Sequence, residues 1–231
     1  MSKDDLQFEI LSEEFTEYDL SFKIIVVGDS GVGKSCLTMK GTKNHFEECY
    51  SPTLGFEFFT FNIRINDKNI KLQIWDTCGQ EAYRSLITSF YRNASLAILV
   101  YSIDNQNSFD NIEAWLNEIK SQSNPETKIF LIGNKTDLED QRQIPIETAM
   151  VFSTEHSFNF FIETSAKTGF NAQNVFIQAA KELFIQHEEI KNRVSRPGSI
   201  TNLVYNPEKE NKVNLESEEE ENRQNKKFCC F

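Results

Sequence analysis

Short apolar runs alternate along this chain with segments whose apolar residues recur at helical spacing. Runs typical of buried strands occupy residues 23–28, 56–65, 69–75, 96–101, 128–132 and 159–162. The polar pair Asn66-Asp67 separates the second run from the third and predicts a hairpin, so those two strands should be antiparallel. Two helices with one apolar face each are predicted by Phe109, Ile112, Trp115, Leu116 and Ile119, and by Val175, Phe176, Ala179, Ala180, Leu183 and Phe184.

This alternation predicts an α/β fold. A strand that returns through a helix to a parallel neighbour leaves helices on both faces of the sheet. We therefore expect six strands in a mostly parallel sheet with one antiparallel strand. Ligands of such sheets bind beyond the carboxyl ends of the strands, so functional residues should follow the strands directly.

The acidic charge of the chain lies mostly at its ends. Of the formal net charge of −11, residues 1–20 carry −6 and residues 206–231 carry −2, so residues 21–205 are nearly neutral. This division predicts a loose acidic extension at 1–20 that could hold a short helix, a folded domain at 21–187 and a disordered tail at 188–231. Because binding to a phosphate backbone requires clustered Lys and Arg, acidic ends argue against nucleic acid as a main partner.

The five cysteines have neither metal-ligand spacing nor an even count for a disulfide framework, which predicts a reducing compartment. No apolar run approaches the roughly 20 residues that cross a bilayer. The first 20 residues also lack the basic start and apolar segment of a secretory signal. We therefore expect an intracellular protein that is not an integral membrane protein.

The most informative segment is the pattern Gly-x-x-x-x-Gly-Lys-Ser at residues 28–35, directly after the first predicted strand. Glycines allow successive backbone N–H groups to turn around an anion, and the N-terminus of the following helix adds partial positive charge. Lys34 would reach the outer phosphates, and the Ser35 hydroxyl would bind the Mg2+ that accompanies them. The segment therefore predicts a phosphate-binding loop.

A second motif, residues 75–81, ends the third predicted strand. Asp76 could hold Mg2+ through a water, Gly79 could offer its N–H to a γ-phosphate, and Gln80 could orient an attacking water. Alone, an Asp at a strand end is weak evidence.

Two further motifs, residues 134–137 and 164–167, follow the last two predicted strands. The Asp137 carboxylate can accept hydrogen bonds from N1–H and the exocyclic amine of guanine, an edge that adenine does not present. The backbone N–H of Ala166 could meet guanine O6. These motifs predict a guanine nucleotide.

In this order and spacing the four motifs resemble the Ras-superfamily small GTPases, a family of P-loop NTPases, over residues 21–187. The resemblance implies a switch that binds GTP or GDP with Mg2+ and uses Lys34 and Gln80 in catalysis. It adds Thr53, which would contact Mg2+ and the γ-phosphate, and Phe46, which would pack on the guanine. The implied metal ligands are Ser35, Thr53 and Asp76, and the implied nucleotide-binding residues are Ser30, Gly31, Val32, Gly33, Lys34, Ser35, Cys36, Phe46, Thr53, Gly79, Asn134, Lys135, Asp137, Ser165, Ala166 and Lys167.

Within that superfamily, residues 54–58, 71–75, 90–94 and 99–103 are similar to the segments that mark the Rab branch. By this resemblance Phe58, Trp75 and Phe90 form the exposed aromatic triad that Rab effectors contact. The alternative for each of these aromatic side chains is that it fills the core.

The last residues extend the resemblance. A CaaX box would require cysteine where Phe228 stands, whereas the pair Cys229-Cys230 resembles the double geranylgeranylation site of Rab proteins. Two lipids suit stable anchoring. The resemblance then implies a monomeric switch on the cytosolic face of intracellular membranes, served by an exchange factor, a GTPase-activating protein, effectors, a GDP-dissociation inhibitor and a prenylation escort.

Three alternatives remain open at this level. The chain could hold GTP with little turnover, which Gln80 disfavours. It could be a small P-loop kinase, which residues 134–137 disfavour, or a GTPase of a non-Rab branch.

Cys78 stands where alanine is usual beside Gly79, so its thiol could change the second switch or make it redox-sensitive.

Overall fold

The fold is built on a mixed β-sheet covered by helices. The structure is a computed structural model that describes residues 6–47, 53, 55–78 and 90–194. Within these ranges the strands are β1 (Phe8–Ile10), β2 (Leu20–Val27), β3 (Phe56–Ile65), β4 (Lys68–Thr77), β5 (Leu96–Ser102), β6 (Lys128–Asn134) and β7 (Phe160–Glu163). The helices are α1 (Lys34–Lys43), α2 (Gln106–Asp110), α3 (Ile112–Gln122), α4 (Ile146–Glu155) and α5 (Ala172–Val194), with a 3-10 helix at Thr136–Gln141.

The sheet has the order β1-β3-β4-β2-β5-β6-β7. The four pairs from β4 to β7 are parallel, and β3 is antiparallel to β4 through the predicted hairpin. Asn66 in that hairpin has φ +52°, a left-handed conformation that asparagine tolerates. The predicted α/β fold with a mostly parallel sheet is confirmed, but the predicted number of six strands is wrong because β1 adds a seventh.

The additional strand lies in residues 6–19, here called the N-terminal arm. β1 pairs antiparallel with β3, with Glu9 opposite Arg64, and the Leu11 N–H donates to the Asn62 carbonyl at 2.9 Å. Leu6 is buried in the core at 4% exposure. The expectation of a loose extension is therefore wrong for the arm.

The acidic side chains of the arm explain how it holds to the sheet and to α1. Glu9 pairs with Arg64 at 2.8 Å, Glu13 with Lys43 at 3.2 Å and Asp19 with Lys68 at 3.1 Å. Each pair is solvent-exposed, so each adds little to the free energy of unfolding. The larger contribution comes from the backbone ladder and from apolar burial.

The core forms two layers, one on each face of the sheet, because successive strand residues point to opposite faces. Val26 and Leu72 pack with Leu37 of α1 and with Phe176 of α5 on one face. On the other face, Ile25, Leu99, Trp115, Ile119 and Ala149 lie in one cluster, which joins α3 and α4 to the sheet. The two predicted apolar faces are thus both buried, but the first belongs to two helices, because Phe109 lies on α2 and the other four residues lie on α3.

The chain divides into two compact units, residues 1–189 and 190–231. The first unit holds the whole described sheet. In the second, residues 190–194 are helical. Within the described ranges, no helix combines the length and the apolar character needed to cross a membrane.

We expect Asn62→Ala to destabilise the folded chain through the arm. Asn62 is 4% exposed, and its side-chain amide donates to the carbonyls of Ser12 at 2.9 Å and of Glu13 and Phe15 at 3.2 Å. Removing a buried donor from these carbonyls should lower the free energy of unfolding by about 1–3 kcal/mol. Urea denaturation at saturating nucleotide would measure the change.

The matched control is Asn117→Ala, since Asn117 is exposed on α3. This variant should shift the free energy of unfolding by no more than about 0.5 kcal/mol. Equal stability of the Asn62 and Asn117 variants would contradict the role given to Asn62.

Candidate functional site

The predicted phosphate-binding loop connects the end of β2 to the start of α1. Two of its glycines are required by close packing. Gly28 has φ +135°, and a Cβ there would lie 2.2 Å from the Val100 carbonyl oxygen of β5. Gly33 has φ +92°, and a Cβ there would lie 2.5 Å from the Asn134 side-chain nitrogen. A larger residue at Gly28 would have to move the β5 backbone, and one at Gly33 would displace the Asn134 side chain.

Lys34 is almost fully buried at the base of this loop. Its ammonium donates to the carbonyls of Gly28 at 2.8 Å and Asp29 at 2.7 Å. Burial lowers the pKa of Lys34, while the carboxylates of Asp76 and Asp29 oppose that shift. Because the hydrogen bonds of this ammonium go to neutral carbonyls, its positive charge suits an anionic phosphate.

The three predicted metal ligands lie together. The hydroxyls of Ser35 and Thr53 are 2.9 Å apart, and Ser35 donates a short hydrogen bond to Asp76. Asp76 pairs with Val26 in the β4–β2 ladder, which places it beside the end of β2.

These residues fit Mg2+. Asp76 is fully buried, its Oδ1 has no hydrogen-bond partner among the described residues, and burial raises its pKa to about 7. A buried carboxylate oxygen without a partner is costly unless a cation or donor satisfies it. One carboxylate and two hydroxyls match the oxygen ligands of Mg2+, which keeps further positions for water and phosphate.

Asn134 joins the phosphate-binding loop to the predicted base site. Its side-chain nitrogen donates to the Val32 carbonyl at 2.9 Å, and its oxygen accepts from the Thr164 hydroxyl at 3.1 Å and from the Ala166 N–H at 3.3 Å. Asp137 in turn accepts from the Ser165 hydroxyl at 2.5 Å. The two predicted base-binding motifs therefore meet directly.

Several predicted contacts are not tested by this geometry. The Ala166 N–H, predicted for guanine O6, donates here to Asn134. Phe46 is half-buried against the core beside α1, and Lys167 is exposed. Burial raises the pKa of the half-buried Cys36 thiol. The remaining loop residues Ser30, Gly31 and Val32, and Lys135 after β6, lie at the same edge of the sheet as Lys34 and Asn134.

Four predicted residues cannot be placed. Gly79, Gln80, Cys229 and Cys230 lie outside the described residues, so their roles stay predictions. Cys78 is described, and it is 3% exposed within the core, with its N–H donating to the Gly55 carbonyl at 2.9 Å. Its burial leaves the thiol little access to oxidants.

A second surface gathers the predicted aromatic triad. Ring centroids lie 5.1 Å apart for Phe58 and Trp75 and 5.2 Å apart for Trp75 and Phe90. Phe56, which we did not single out from the sequence, joins them 4.6 Å from Phe90. Phe56 and Phe58 are 47% and 48% exposed, and the buried Trp75 indole N–H has no hydrogen-bond partner within the described part of the chain. Lys23 lies over the rings of Trp75 and Phe90. We call these four aromatic residues with Lys23 the aromatic face.

Sequence reasoning also missed residues that support the phosphate-binding loop from outside. Trp115, assigned only to the core, donates its indole N–H to the Asp29 carboxylate at 2.7 Å, and Asn111 donates to the same carboxylate at 2.7 Å. The sequence signal that could have found them is Asp29, an acidic residue inside an anion-binding loop. Its carboxylate needs hydrogen-bond donors from another part of the fold.

Comparison with protein families gives an independent result. The model of the Ras family matches residues 23–185, which include the phosphate-binding loop, both base-binding motifs and all strands from β3 to β7.

We expect Asn134→Asp to weaken GDP binding by about tenfold or more. The substitution keeps the shape of the side chain but sets a carboxylate oxygen against the Val32 carbonyl, in a position that is 1% exposed. Titration with fluorescent GDP would measure the affinity.

Asn159→Asp is the control, because the Asn159 side chain uses its oxygen to accept from the Ile129 N–H and the new carboxylate preserves that bond. GDP affinity should be unchanged in this variant. If both variants bind GDP as tightly as the wild type, Asn134 does not hold the loop in its binding conformation.

Proposed function

The chain belongs to the Ras family, and from this premise we propose that it is a Rab-type GTPase that recruits effectors in vesicle-mediated transport. Small GTPases of this family bind guanine nucleotide and act as switches. What we propose beyond the family is the Rab branch, the transport role and the membrane on which the switch acts.

The observation that carries the switch part of the proposal is the meeting of Ser35, Thr53 and Asp76. Thr53 precedes β3 by three residues, yet its hydroxyl lies 2.9 Å from the Ser35 hydroxyl at the start of α1. The γ-phosphate of GTP would hold Thr53 and Gly79 together, and hydrolysis would release both segments.

Hydrolysis would depend on positioning and charge. Lys34 would neutralise the charge that develops on the outer phosphates, and Gln80 would align the attacking water. Mg2+, held by Ser35, Thr53 and Asp76, would supply further charge neutralisation when bound. No arginine occurs from residue 38 to residue 55, so the first switch offers no arginine finger. We infer slow turnover that an activating protein accelerates.

We expect the wild-type protein to hydrolyse GTP alone at about 10^-4 to 10^-3 per second, the range typical of Ras. Gln80→Leu should abolish stimulation by a GTPase-activating protein, because the attacking water loses its partner. Single-turnover hydrolysis, with and without the activator, would measure both rates.

Equal rates for wild type and Gln80→Leu under both conditions would instead favour a GTP-binding module with little turnover. A preference for ATP over GTP in a binding assay would favour the kinase alternative.

The Asp137–Ser165 hydrogen bond argues for guanine, since it orients the carboxylate that would accept from the guanine edge.

The Rab branch is supported by the aromatic face. Of the predicted triad only Phe58 is exposed, whereas Trp75 and Phe90 are half-buried against the core, so the prediction that all three are exposed is wrong for those two. With Phe56, the face still presents two exposed aromatic rings, and aromatic residues are enriched at interfaces. An exchange factor, a GTPase-activating protein, a GDP-dissociation inhibitor and a prenylation escort are the further partners implied.

Membrane attachment is proposed through the chain end. Cys229 and Cys230 would each carry a geranylgeranyl group, which places the switch on the cytosolic face of an intracellular membrane. With Glu218 to Glu221 nearby, the tail has little polybasic charge to replace a second lipid.

We expect the double variant Cys229→Ser/Cys230→Ser to move tagged protein from membranes to the soluble fraction. Mass spectrometry of the wild-type C-terminal peptide should show two lipids. Phe228→Ala keeps both cysteines and should stay on membranes. A single lipid, or none, on the wild-type peptide would favour a non-Rab branch.

A further inference from the structure

The phosphate-binding loop carries a carboxylate, Asp29, whose partners come from another part of the fold. One oxygen accepts from the Trp115 indole N–H at 2.7 Å, and the other accepts from the Asn111 side-chain amide at 2.7 Å. Asn111 is the exposed residue between α2 and α3, and its backbone N–H caps the end of α2. Trp115 is 1% exposed in the core. Both donors therefore belong to the helical segment that follows β5.

The backbone of the same residue contacts Lys34. The Asp29 carbonyl accepts from the Lys34 ammonium at 2.7 Å, beside the Gly28 carbonyl at 2.8 Å. Asp29 is thus fixed at its side chain by the α2–α3 junction and at its main chain by Lys34. A shift of its carboxylate would move the carbonyl that holds the ammonium.

An acidic residue in an anion-binding loop requires an explanation, because a free carboxylate would repel phosphate. Two donors at 2.7 Å bind both of its oxygens through charge-assisted hydrogen bonds, which are stronger than neutral ones. The negative charge of the Asp29 carboxylate is thereby bound by donors at the junction of α2 and α3, which reduces its repulsion of a phosphate.

We propose that Asp29 is a positioning residue, which transmits the fixed geometry of Asn111 and Trp115 to Lys34 and so sets where the ammonium meets the outer phosphates of the nucleotide. The proposal rests on the nucleotide-binding function proposed above. It assigns Asn111 and Trp115, which no site motif contains, to the support of phosphate binding.

Asn111→Asp tests this coupling, because it sets a second carboxylate against Asp29. By the proposed function Lys34 would contact the phosphates beyond the first, so the affinity for GDP should fall about tenfold or more while the affinity for GMP changes little. The ratio of the GMP and GDP dissociation constants is therefore the measured quantity. A general loss of stability would weaken both nucleotides and leave the ratio unchanged.

The exchange Asp29→Asn/Asn111→Asp should restore the ratio to within about twofold of wild type, because one carboxylate and one amide again face each other. Asn117→Asp adds the same charge at an exposed position of α3 and should leave the ratio unchanged. Trp115→Phe removes the second donor and should lower GDP affinity about threefold to tenfold, with GMP again little affected.

The outcomes separate the two proposals. An unchanged ratio in Asn111→Asp, or a double variant that fails to restore it, overturns the positioning role while leaving the nucleotide site intact. Should Asn111→Asp not fold, the ratio in Trp115→Phe decides in the same way. A wild-type protein that binds neither GDP nor GMP overturns the proposed function and the positioning role together.

Discussion

The site depends on one side chain amide, that of Asn134 at the end of β6. It bonds the Val32 carbonyl of the phosphate-binding loop and accepts from Thr164 and Ala166 beyond β7. Three segments far apart in sequence are thereby fixed at one edge of the sheet. Each hydrogen bond is buried, so none can be exchanged for water without cost. The phosphate half and the base half of the site are consequently one structural unit.

Much of this architecture was predictable because its signals are local. Each buried strand of the parallel sheet is a short apolar run, and the polar pair Asn66-Asp67 predicts the hairpin. The motifs follow the strands because parallel strands bring their carboxyl ends to a common edge. Ser35, Thr53 and Asp76 therefore meet as expected, although Thr53 and Asp76 are separated by a complete hairpin.

The features that escaped prediction are held by distant partners. β1 has three residues, too few for a recognisable alternation of apolar and polar positions. It forms because it can pair with the edge of β3 and because the Asn62 amide donates to the backbone of the arm. The spacing of Trp115 predicts a core residue. Only the folded chain shows that its indole N–H donates a hydrogen bond to Asp29, which lies 86 positions earlier in the sequence. Phe56 was missed because the sequence does not reveal which strand residues remain exposed.

The N-terminal arm also changes how folded copies of the chain meet one another. Without it, ten-residue β3 would be the outermost strand on its side, and unpaired backbone groups on a long edge invite pairing with another chain. β1 takes over the outer position opposite Ile63 to Ile65 with three residues, one of them charged and all exposed. An edge of three residues leaves few backbone groups with which a further strand could pair. Over those three residues of β3, the arm therefore occupies backbone groups with which a strand of another copy could otherwise pair.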